Sequence, residues 1–326
     1  MVGFVLHEEY LIFVKNSNLE GTVIKSTGSW YYVRDEQGFV WPCKIKGTFR
    51  IKGIRTTNPV AVGDRVEFNA VSEGEREGVI IRLHPRRNYI IRKATKLSRE
   101  SHILAANIDQ AVIMATLAYP QTYTLFIDRF LVTAEAYRIP AKIIFNKTDL
   151  YDEKLNDHLE HLINIYEEAG YSCLKLSLTQ GKNLEAVKDL LKDQTSVIAG
   201  NSGVGKSTLI NRLNTEAQLK TAEISDYHKA GKHCTTFAEM IDLPFGGQII
   251  DTPGIRGFGL IDFYKEEIYH YFPEIFKASQ ECKFHNCTHT HEPGCNVKAS
   301  VENGTISQTR YNNYIRILED NEGKFR

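Results

Sequence analysis

The chain carries no net charge: forty Lys and Arg balance forty Asp and Glu over 326 residues. Bulk electrostatic attraction therefore names no partner, and any nucleic-acid surface has to come from local segregation of charge. Long apolar runs are missing as well. The longest uncharged stretch, Gln110 to Ile127, is interrupted by Pro120, Gln121 and several Thr and Tyr, which argues against a bilayer span and a membrane partner. The first fourteen residues, MVGFVLHEEYLIFV, contain Glu8 and Glu9 and lack both a basic start and a small-residue cleavage site. They do not read as a secretory signal, and a cytoplasmic location is expected. Repeats and low-complexity segments are absent, and cysteine is scarce. Of six cysteines, Cys43, Cys173 and Cys234 are scattered, while Cys282, Cys287 and Cys295 fall within fourteen residues. In a reducing compartment such clustering favours a metal over disulfides.

What is present is an ordinary globular composition. Hydrophobic residues make up 42% and charged residues 25%, which excludes disordered and collagen-like chains. The length allows two or three domains at roughly 100 to 200 residues each. Residues 1–18 read as an N-terminal extension. Residues 19–92 read as short strands separated by turns: Trp30 to Val33 and Phe39 to Trp41 flank Asp35-Glu36-Gln37-Gly38, a hairpin signal, and Val66, Phe68 and Ala70 alternate with polar neighbours. Strands of this spacing without a helical period predict a small barrel. Between Glu20 and Lys96, fifteen Lys and Arg stand against eight Asp and Glu, so the barrel region is basic and the remainder correspondingly acidic.

Residues 97–260 alternate apolar strands with amphipathic helices. Gln110 to Ala118, Ala141 to Phe145, Ser172 to Leu176, Thr195 to Ala199 and Gln248 to Ile250 read as strands. Ile127, Phe130, Leu131 and Ala134 recur at helical spacing, as do Leu155, Leu159, Leu162, Ile163 and Tyr166. The alternation predicts a mostly parallel sheet with helices on both faces. Residues 261–326 read as helical with a Cys/His insert, ending in a stripe of Tyr311, Tyr314, Ile315 and Leu318.

Gly200-Asn201-Ser202-Gly203-Val204-Gly205-Lys206-Ser207, followed by Thr208, matches G-x-x-x-x-G-K-[ST] between a strand and a helix. Glycines there let successive N–H groups turn inward around phosphates, with the helix N-terminus adding partial positive charge. Lys206 would neutralise the β and γ oxygens and Ser207 would hold Mg²⁺. A phosphate loop does not choose a base. Asn146-Lys147-Thr148-Asp149, directly after the strand Ala141 to Phe145, does: the Asp149 carboxylate can accept both N1–H and the exocyclic N2–H of guanine, a donor pair that adenine does not offer there. Lys147 would lie along the purine plane and Asn146 would tie this loop to the phosphate loop. Ser177, after the strand ending at Leu176, would bring backbone to the guanine O6.

Asp251-Thr252-Pro253-Gly254 follows the strand Gln248 to Ile250. In that position Asp251 would touch Mg²⁺ through water and the Gly254 N–H would meet the γ-phosphate; a bare D-x-x-G is common, and only its place gives it weight. Gly231-Lys232-His233-Cys234-Thr235-Thr236 offers a threonine hydroxyl for Mg²⁺, and chemistry does not choose between Thr235 and Thr236. Ile255 stands where a Ras-type protein carries the glutamine that positions water. An aliphatic side chain cannot do so, and slow intrinsic hydrolysis is expected. The missing group then comes from His233, which also reads as a surface or structural histidine, or from a partner.

The order of these motifs is unusual. Asn146 lies 54 residues ahead of Gly200, whereas in ordinary GTPases the base-reading motif follows the phosphate loop. The G domain is read as circularly permuted, which a parallel sheet tolerates because all the loops stay at the carboxyl ends of strands. Further on, Cys282, Cys287, His289 and Cys295 supply three thiolates and an imidazole, the donor set of a closed structural Zn²⁺ site. His285 and His291 stand nearby as substitutes for His289.

Taken together, the basic barrel, the order NKTD, GNSGVGKS, DTPG, the Gly-Lys-His-Cys-Thr-Thr segment and the C-terminal cysteine/histidine cluster resemble the RsgA/YjeQ family of small ribosomal subunit biogenesis GTPases. The resemblance covers roughly residues 19–326. It implies an N-terminal OB-fold that contacts rRNA, a central circularly permuted α/β P-loop GTPase domain and a mostly helical zinc-binding C-terminal domain. It further implies binding to the 30S subunit late in maturation and release on GTP hydrolysis stimulated by the subunit. The cofactors it implies are one structural Zn²⁺ per chain and Mg²⁺ with GTP; the partners are GTP and GDP, the 30S subunit and its 16S rRNA, with the chain itself a monomer. The histidine proposed as catalytic in the family falls on His233. Two departures are visible: the family often reads Arg-His-Thr-Thr-Thr where this chain has Lys232 to Thr236, and residues 1–18 precede the usual start.

The residues make a weaker case for RNA. Arg82, Arg86, Arg87, Arg92, Lys93, Lys96 and Arg99 lie at the barrel junction, with Trp30, Tyr31, Tyr32 and Trp41 nearby. They read either as a phosphate and base-stacking surface or as a solvated face over an aromatic barrel core. Arg310 and Arg316 beside Tyr311 and Tyr314 invite the same two readings. The alternative to a hydrolysing timer is a nucleotide-dependent RNA-binding scaffold with incidental hydrolysis.

Overall fold

The computed structural model describes residues 18–45, 59–72, 76–93, 101–214, 238–251 and 264–320. Five strands form the N-terminal barrel: β1 (Asn18–Ser26), β2 (Tyr31–Asp35), β3 (Val40–Ile45), β4 (Arg65–Ser72) and β5 (Glu77–Leu83). They run in the order β1-β2-β3-β5-β4, and the pairing of β4 with β1 closes the ring. Strand β3 runs parallel to β5 while the other pairs are antiparallel, which is the Greek-key layout of an OB-fold. Local chemistry sets the β2–β3 turn. Asp35 Oδ1 accepts from the N–H groups of Gln37 and Phe39, both at 2.9 Å, and Gly38 takes the left-handed backbone the turn needs. The period-two pattern sends Val66 and Phe68 inward with Val23, Val33 and Ile80.

The aromatics and cations at the barrel divide between core and surface. Tyr31 and Trp41 are buried in the core, while Trp30 and Tyr32 are half-buried. Arg86 is not a surface cation. It is buried and forks onto Asp64, itself fully buried, through Nε–Oδ1 at 2.7 Å and Nη2–Oδ2 at 2.6 Å, so it is a strut of the barrel. Arg87 pairs with Asp109 and Arg82 with Glu67 at the surface. Lys96 and Arg99 lie outside the described residues, as do residues 1–17 of the N-terminal extension.

Strands β6 (Tyr89–Lys93) and β7 (Ser101–Ala106) pair antiparallel, so the division expected between residues 92 and 97 runs between two paired strands. The central sheet follows with β8 (Gln110–Ala115), β9 (Ala141–Phe145), β10 (Ser172–Lys175), β11 (Thr195–Ala199), β12 (Glu239–Asp242) and β13 (Gln248–Asp251). Its order is β10-β9-β8-β11-β13-β12, parallel except for β12. Both faces are covered, as near-continuous apolar strands require. Ala111, Ile113 and Ala115 of β8 pack toward α1 (Thr124–Ala136) and α2 (Glu153–Glu168). Val112 and Met114 pack toward α3 (Leu184–Leu191) and α4 (Lys206–Leu213). Strand β12 also meets β1 at Lys25 and Glu239, so barrel and central sheet are continuous.

Strand β8 stops three residues short of its expected end at Ala118. The Thr116 N–H is taken by Thr122 Oγ1 at 3.1 Å, and Thr122 N–H returns to Thr116 O at 2.8 Å, so side-chain chemistry replaces the ladder and starts the loop 116–123. The C-terminal region contains a 3₁₀ helix (Lys265–Tyr271), α5 (Pro273–Ser279), α6 (Asn296–Glu302) and α7 (Gln308–Asp320). The buried face of α7 differs from the apolar stripe: Arg310, Asn313, Tyr314 and Ile317 point inward, whereas Tyr311, Ile315 and Leu318 are half-buried. Among the described residues no helix is long and apolar enough to cross a membrane.

Candidate nucleotide site and metal centre

The loop from Gly200 to Gly205 leaves β11 and enters α4. Its glycines are dictated by neighbours. A Cβ on Gly200 (φ 146°) would sit 2.4 Å from the Met114 carbonyl oxygen, and one on Gly205 (φ 106°) 2.6 Å from Asn146 Nδ2. Val204 is fully buried and pins the loop, while Ser202, Ser207 and Thr208 face solvent. Gly205 caps α4 without a side-chain acceptor for the first-turn N–H groups, which leaves them aimed at the concave side of the loop. Lys206 Nζ donates to the carbonyl oxygens of Gly200 (2.6 Å) and Asn201 (2.7 Å), holding its ammonium over the same concavity. Asp251 ends β13. Burial raises its carboxyl above the usual range, the Lys206 charge works against that, and Glu239 adds to it.

The Asn146-Lys147-Thr148-Asp149 segment leaves β9 beside this loop. Asn146 is 1% exposed; its Nδ2 donates to Val204 O at 2.8 Å and its Oδ1 accepts from Leu178 N–H at 3.4 Å. One buried amide thus joins the phosphate loop, the segment itself and the loop after β10. Lys147 adopts a left-handed backbone (φ 64°) and a 3₁₀ turn follows over Thr148–Leu150. Its ammonium donates to Tyr119 O, and burial lowers its pKa while Asp149 opposes the shift. Thr148 bonds Leu176 O through its hydroxyl at 3.1 Å. Asp149 Oδ1 accepts from Ser177 Oγ at 2.6 Å, which orients the carboxylate and leaves Oδ2 for another donor. His233, Thr235, Thr236 and Gly254 lie outside the described residues.

Two residues that sequence motifs did not single out shape this site. Tyr119 holds the Lys147 ammonium through its backbone carbonyl, and Tyr151 bridges two loops with its hydroxyl. A carbonyl carries no sequence signature, and a tyrosine two residues past Asp149 matches no pattern.

The arrangement is an anion cradle joined to an oriented carboxylate at the carboxyl ends of parallel strands. A family model for the RsgA GTPase matches residues 83–261, more than half of the chain, and one for the RsgA N-terminal domain matches residues 20–80. The chain belongs to the RsgA GTPase family. Among its relatives, the small ribosomal subunit biogenesis GTPase RsgA of Bacteroides fragilis is 54% identical over 309 residues, covering 94% of this chain and 99% of the relative. The RsgA of Porphyromonas gingivalis is 52% identical over 305 residues, covering 93% of this chain and 97% of the relative. Two solved structures share the fold. YjeQ from Thermotoga maritima superposes with a TM-score of 0.77 at 35% identity, covering 94% of this chain and 99% of that one. YloQ, a circularly permuted GTPase, gives 0.73 at 31% identity with 98% of each chain covered. The multidomain reading and the permuted order of motifs are thereby established for this RsgA-family chain.

In the C-terminal region, Cys282, Cys287, His289 and Cys295 bring one donor atom each within 4.8 Å of one another. His289 Nδ1 lies 3.6 Å from Cys282 Sγ and from Cys295 Sγ, and the two sulfurs are 4.0 Å apart. Donors about 2.1 to 2.3 Å from a tetrahedral zinc ion are separated by roughly 3.4 to 3.8 Å, so the cluster fits such an ion. His285 and His291 are exposed and lie outside it. Burial, with the neighbouring thiols adding, pushes the Cys287 thiol up to about 12; a central cation is what lets three thiolates coexist.

Tertiary contacts fix the cluster. Tyr311 and Tyr314 of α7 donate to the carbonyls of His289 (2.7 Å) and Thr288 (2.6 Å). Glu292 folds the intervening loop by accepting from Thr288 N–H (2.7 Å), Thr288 Oγ1 (2.6 Å) and Thr290 N–H (3.0 Å). Partial burial disfavours its charge, but these donors outweigh that and hold its carboxyl down at about 2.

Proposed function

We propose that the chain is a Mg²⁺-dependent GTP hydrolase that binds the 30S subunit through its 16S rRNA in the cytoplasm, assists late maturation, and leaves after hydrolysis that the subunit stimulates. What carries the reading is the Asn146–Val204 hydrogen bond at 2.8 Å, which locks a guanine-type carboxylate loop to a phosphate loop, in a chain 54% identical to a small ribosomal subunit biogenesis GTPase. The proposed division is an OB-fold RNA-binding domain over residues 19–92, a G domain over 97–260 and a zinc-binding domain over 261–326, acting as a monomer.

In this reading Asp149 selects guanine, Lys147 lies along the purine, and Ser177 presents backbone to O6. The segment Gly200 to Thr208 cradles the phosphates, and Lys206 trades its bonds to the loop carbonyls for β and γ oxygens. Ser207 and Thr235 or Thr236 would hold Mg²⁺, with Asp251 reaching it through water and Gly254 meeting the γ-phosphate. The ion, when bound, supplies charge neutralisation between the β- and γ-phosphates. Water attacks the γ-phosphorus in line, the bond to the bridging oxygen breaks, and GDP and phosphate leave. Ile255 supplies no water-positioning group, so His233 or the subunit completes the site.

Steady-state GTP hydrolysis is expected to be slow for the protein alone and to rise many-fold with small subunits, while ATP is not turned over and large subunits give no rise. No stimulation by small subunits would move the function to a nucleotide-dependent RNA-binding scaffold. Zinc is the ion that the Cys282, Cys287, His289 and Cys295 donor set prefers. Elemental analysis is expected to give one zinc per chain in the parent protein and well below one for Cys287→Ser. Equal zinc in both would remove Cys287 from the ligand set.

A further inference from the structure

The strand β9 ends at Phe145, and the chain turns back on itself within six residues. Tyr151 OH donates to the carbonyl oxygen of Asn146 at 2.7 Å, closing Asn146 to Tyr151 into a ring that contains Lys147 and Asp149. The same hydroxyl accepts from the N–H of Leu117 at 2.8 Å. Leu117 lies two residues before Tyr119, whose carbonyl holds the Lys147 ammonium. The Tyr151 side chain is 8% exposed and packs in the core under α1 and α2, so its position is set by the sheet rather than by solvent. A phenol that both donates and accepts can satisfy both backbone groups at once.

We propose that Tyr151 is a positioning residue for base recognition: its hydroxyl fixes the loop that aims Asp149 and Lys147 at the purine. The proposal rests on the reading of Asp149 as the guanine selector. Without the hydroxyl, Asn146 O and Leu117 N–H lose a shared partner in a buried place, and the cheapest relief is for the loop to open toward water. Opening displaces Asp149 relative to the phosphate loop although Asn146 still bonds Val204. The ligand contact that suffers most is the two-point one between a carboxylate and the N1–H and N2–H donors. A base lacking the exocyclic amino group has only one of those bonds to lose.

The test compares affinities of the full-length chain for GDP, for IDP, whose hypoxanthine lacks the 2-amino group, and for XDP. Parent, Tyr151→Phe and Asp149→Asn proteins are measured by calorimetry at a temperature where each is folded. Tyr151→Phe is expected to weaken GDP about tenfold and IDP no more than two- to threefold, so that the GDP-to-IDP preference falls at least threefold. A variant that merely lost folded protein would lower the active fraction and leave that ratio unchanged. An unchanged ratio in Tyr151→Phe, with Asp149→Asn shifting preference toward XDP, overturns the proposal alone. Unchanged base preference in Asp149→Asn overturns the selector reading and the proposal with it. Should the Phe variant not fold, amide exchange in the parent protein reads the same bond: GDP is expected to slow Leu117 together with residues 147–150. Exchange at Leu117 that ignores GDP overturns the proposal.

Discussion

Asp149→Asn is expected to convert a guanine-preferring protein into one that prefers xanthine nucleotides. In the proposed reading the carboxylate accepts two hydrogen bonds from guanine, N1–H and N2–H. An amide offers one acceptor and one donor pair, so against guanine it keeps one bond, loses the other and points an N–H₂ at another N–H₂. Xanthine replaces the exocyclic amine by a carbonyl, which accepts from that amide. Sites built to hydrogen-bond a substrate discriminate strongly against a partner that leaves buried polar groups unpaired, and the loss of GDP affinity is put on the order of a hundredfold or more. The fold should be retained, because the Ser177 Oγ bond to Asp149 Oδ1 at 2.6 Å can be remade to the amide oxygen. Nucleotide competition with GDP, XDP and ADP reads the result; GDP affinity within threefold of the parent value would remove Asp149 from base selection.

The second large effect is expected from Arg310→Met. Arg310 is 1% exposed and sits between two acids: Nη1 meets Asp128 Oδ1 at 2.6 Å, while Nε and Nη2 fork onto Glu274 at 2.8 and 3.0 Å. Asp128 belongs to α1 of the G domain and Glu274 to α5, so one guanidinium from α7 fastens the C-terminal region to the GTPase core. Asn313 supplies Asp128 with a further bond at 2.6 Å, and the Phe272 ring lies 4.7 Å from the guanidinium carbon. Burial, with Glu274 adding, raises the Asp128 carboxyl while Arg310 and the Asn313 hydrogen bond pull it down, so removing the arginine leaves the Asn313 bond alone against both raising influences. Breaking a buried pair from one side typically costs about 3 to 5 kcal/mol, whereas replacing the whole set by apolar groups is close to neutral. Urea unfolding of Arg310→Met should show that loss, and the Asp128→Leu, Glu274→Met, Arg310→Met triple variant, in which all three charged groups are apolar, should recover most of it. A single variant within about 1 kcal/mol of the parent would mean that the triad does not hold the two regions together.

Much of the architecture was legible because it rests on local repetition. Val66 and Phe68 alternate along β4, Ile127, Phe130, Leu131 and Ala134 share one side of α1, and all four lie where periodicity places them. Asp152 caps α2 by accepting from Leu155 N–H at 2.8 Å, a start signal written within four residues. The C-terminal helix shows where periodicity fails. Its apolar stripe marks Tyr311, Tyr314, Ile315 and Leu318, yet Arg310 and Asn313 are deeper than three of these. A buried arginine reads as a surface cation until the two acids that neutralise it, 182 and 36 residues away, are in place. Arg86 misleads in the same way, since its partner Asp64 lies 22 residues upstream.

Motif spacing by itself determined the permuted GTPase, the guanine-type segment and the cysteine/histidine set, because each is a short run whose chemistry is carried by neighbours in the chain. Tertiary structure set aside His285 and His291, the substitutes that spacing left open beside His289, and it alone decided which cations are struts rather than surface. It also brought the Tyr119 carbonyl to the Lys147 ammonium and the Tyr151 hydroxyl to the Asn146 carbonyl. Those contacts join segments whose relation depends on how sheets stack and loops meet, and a residue's type does not encode the distance to a partner elsewhere in the chain.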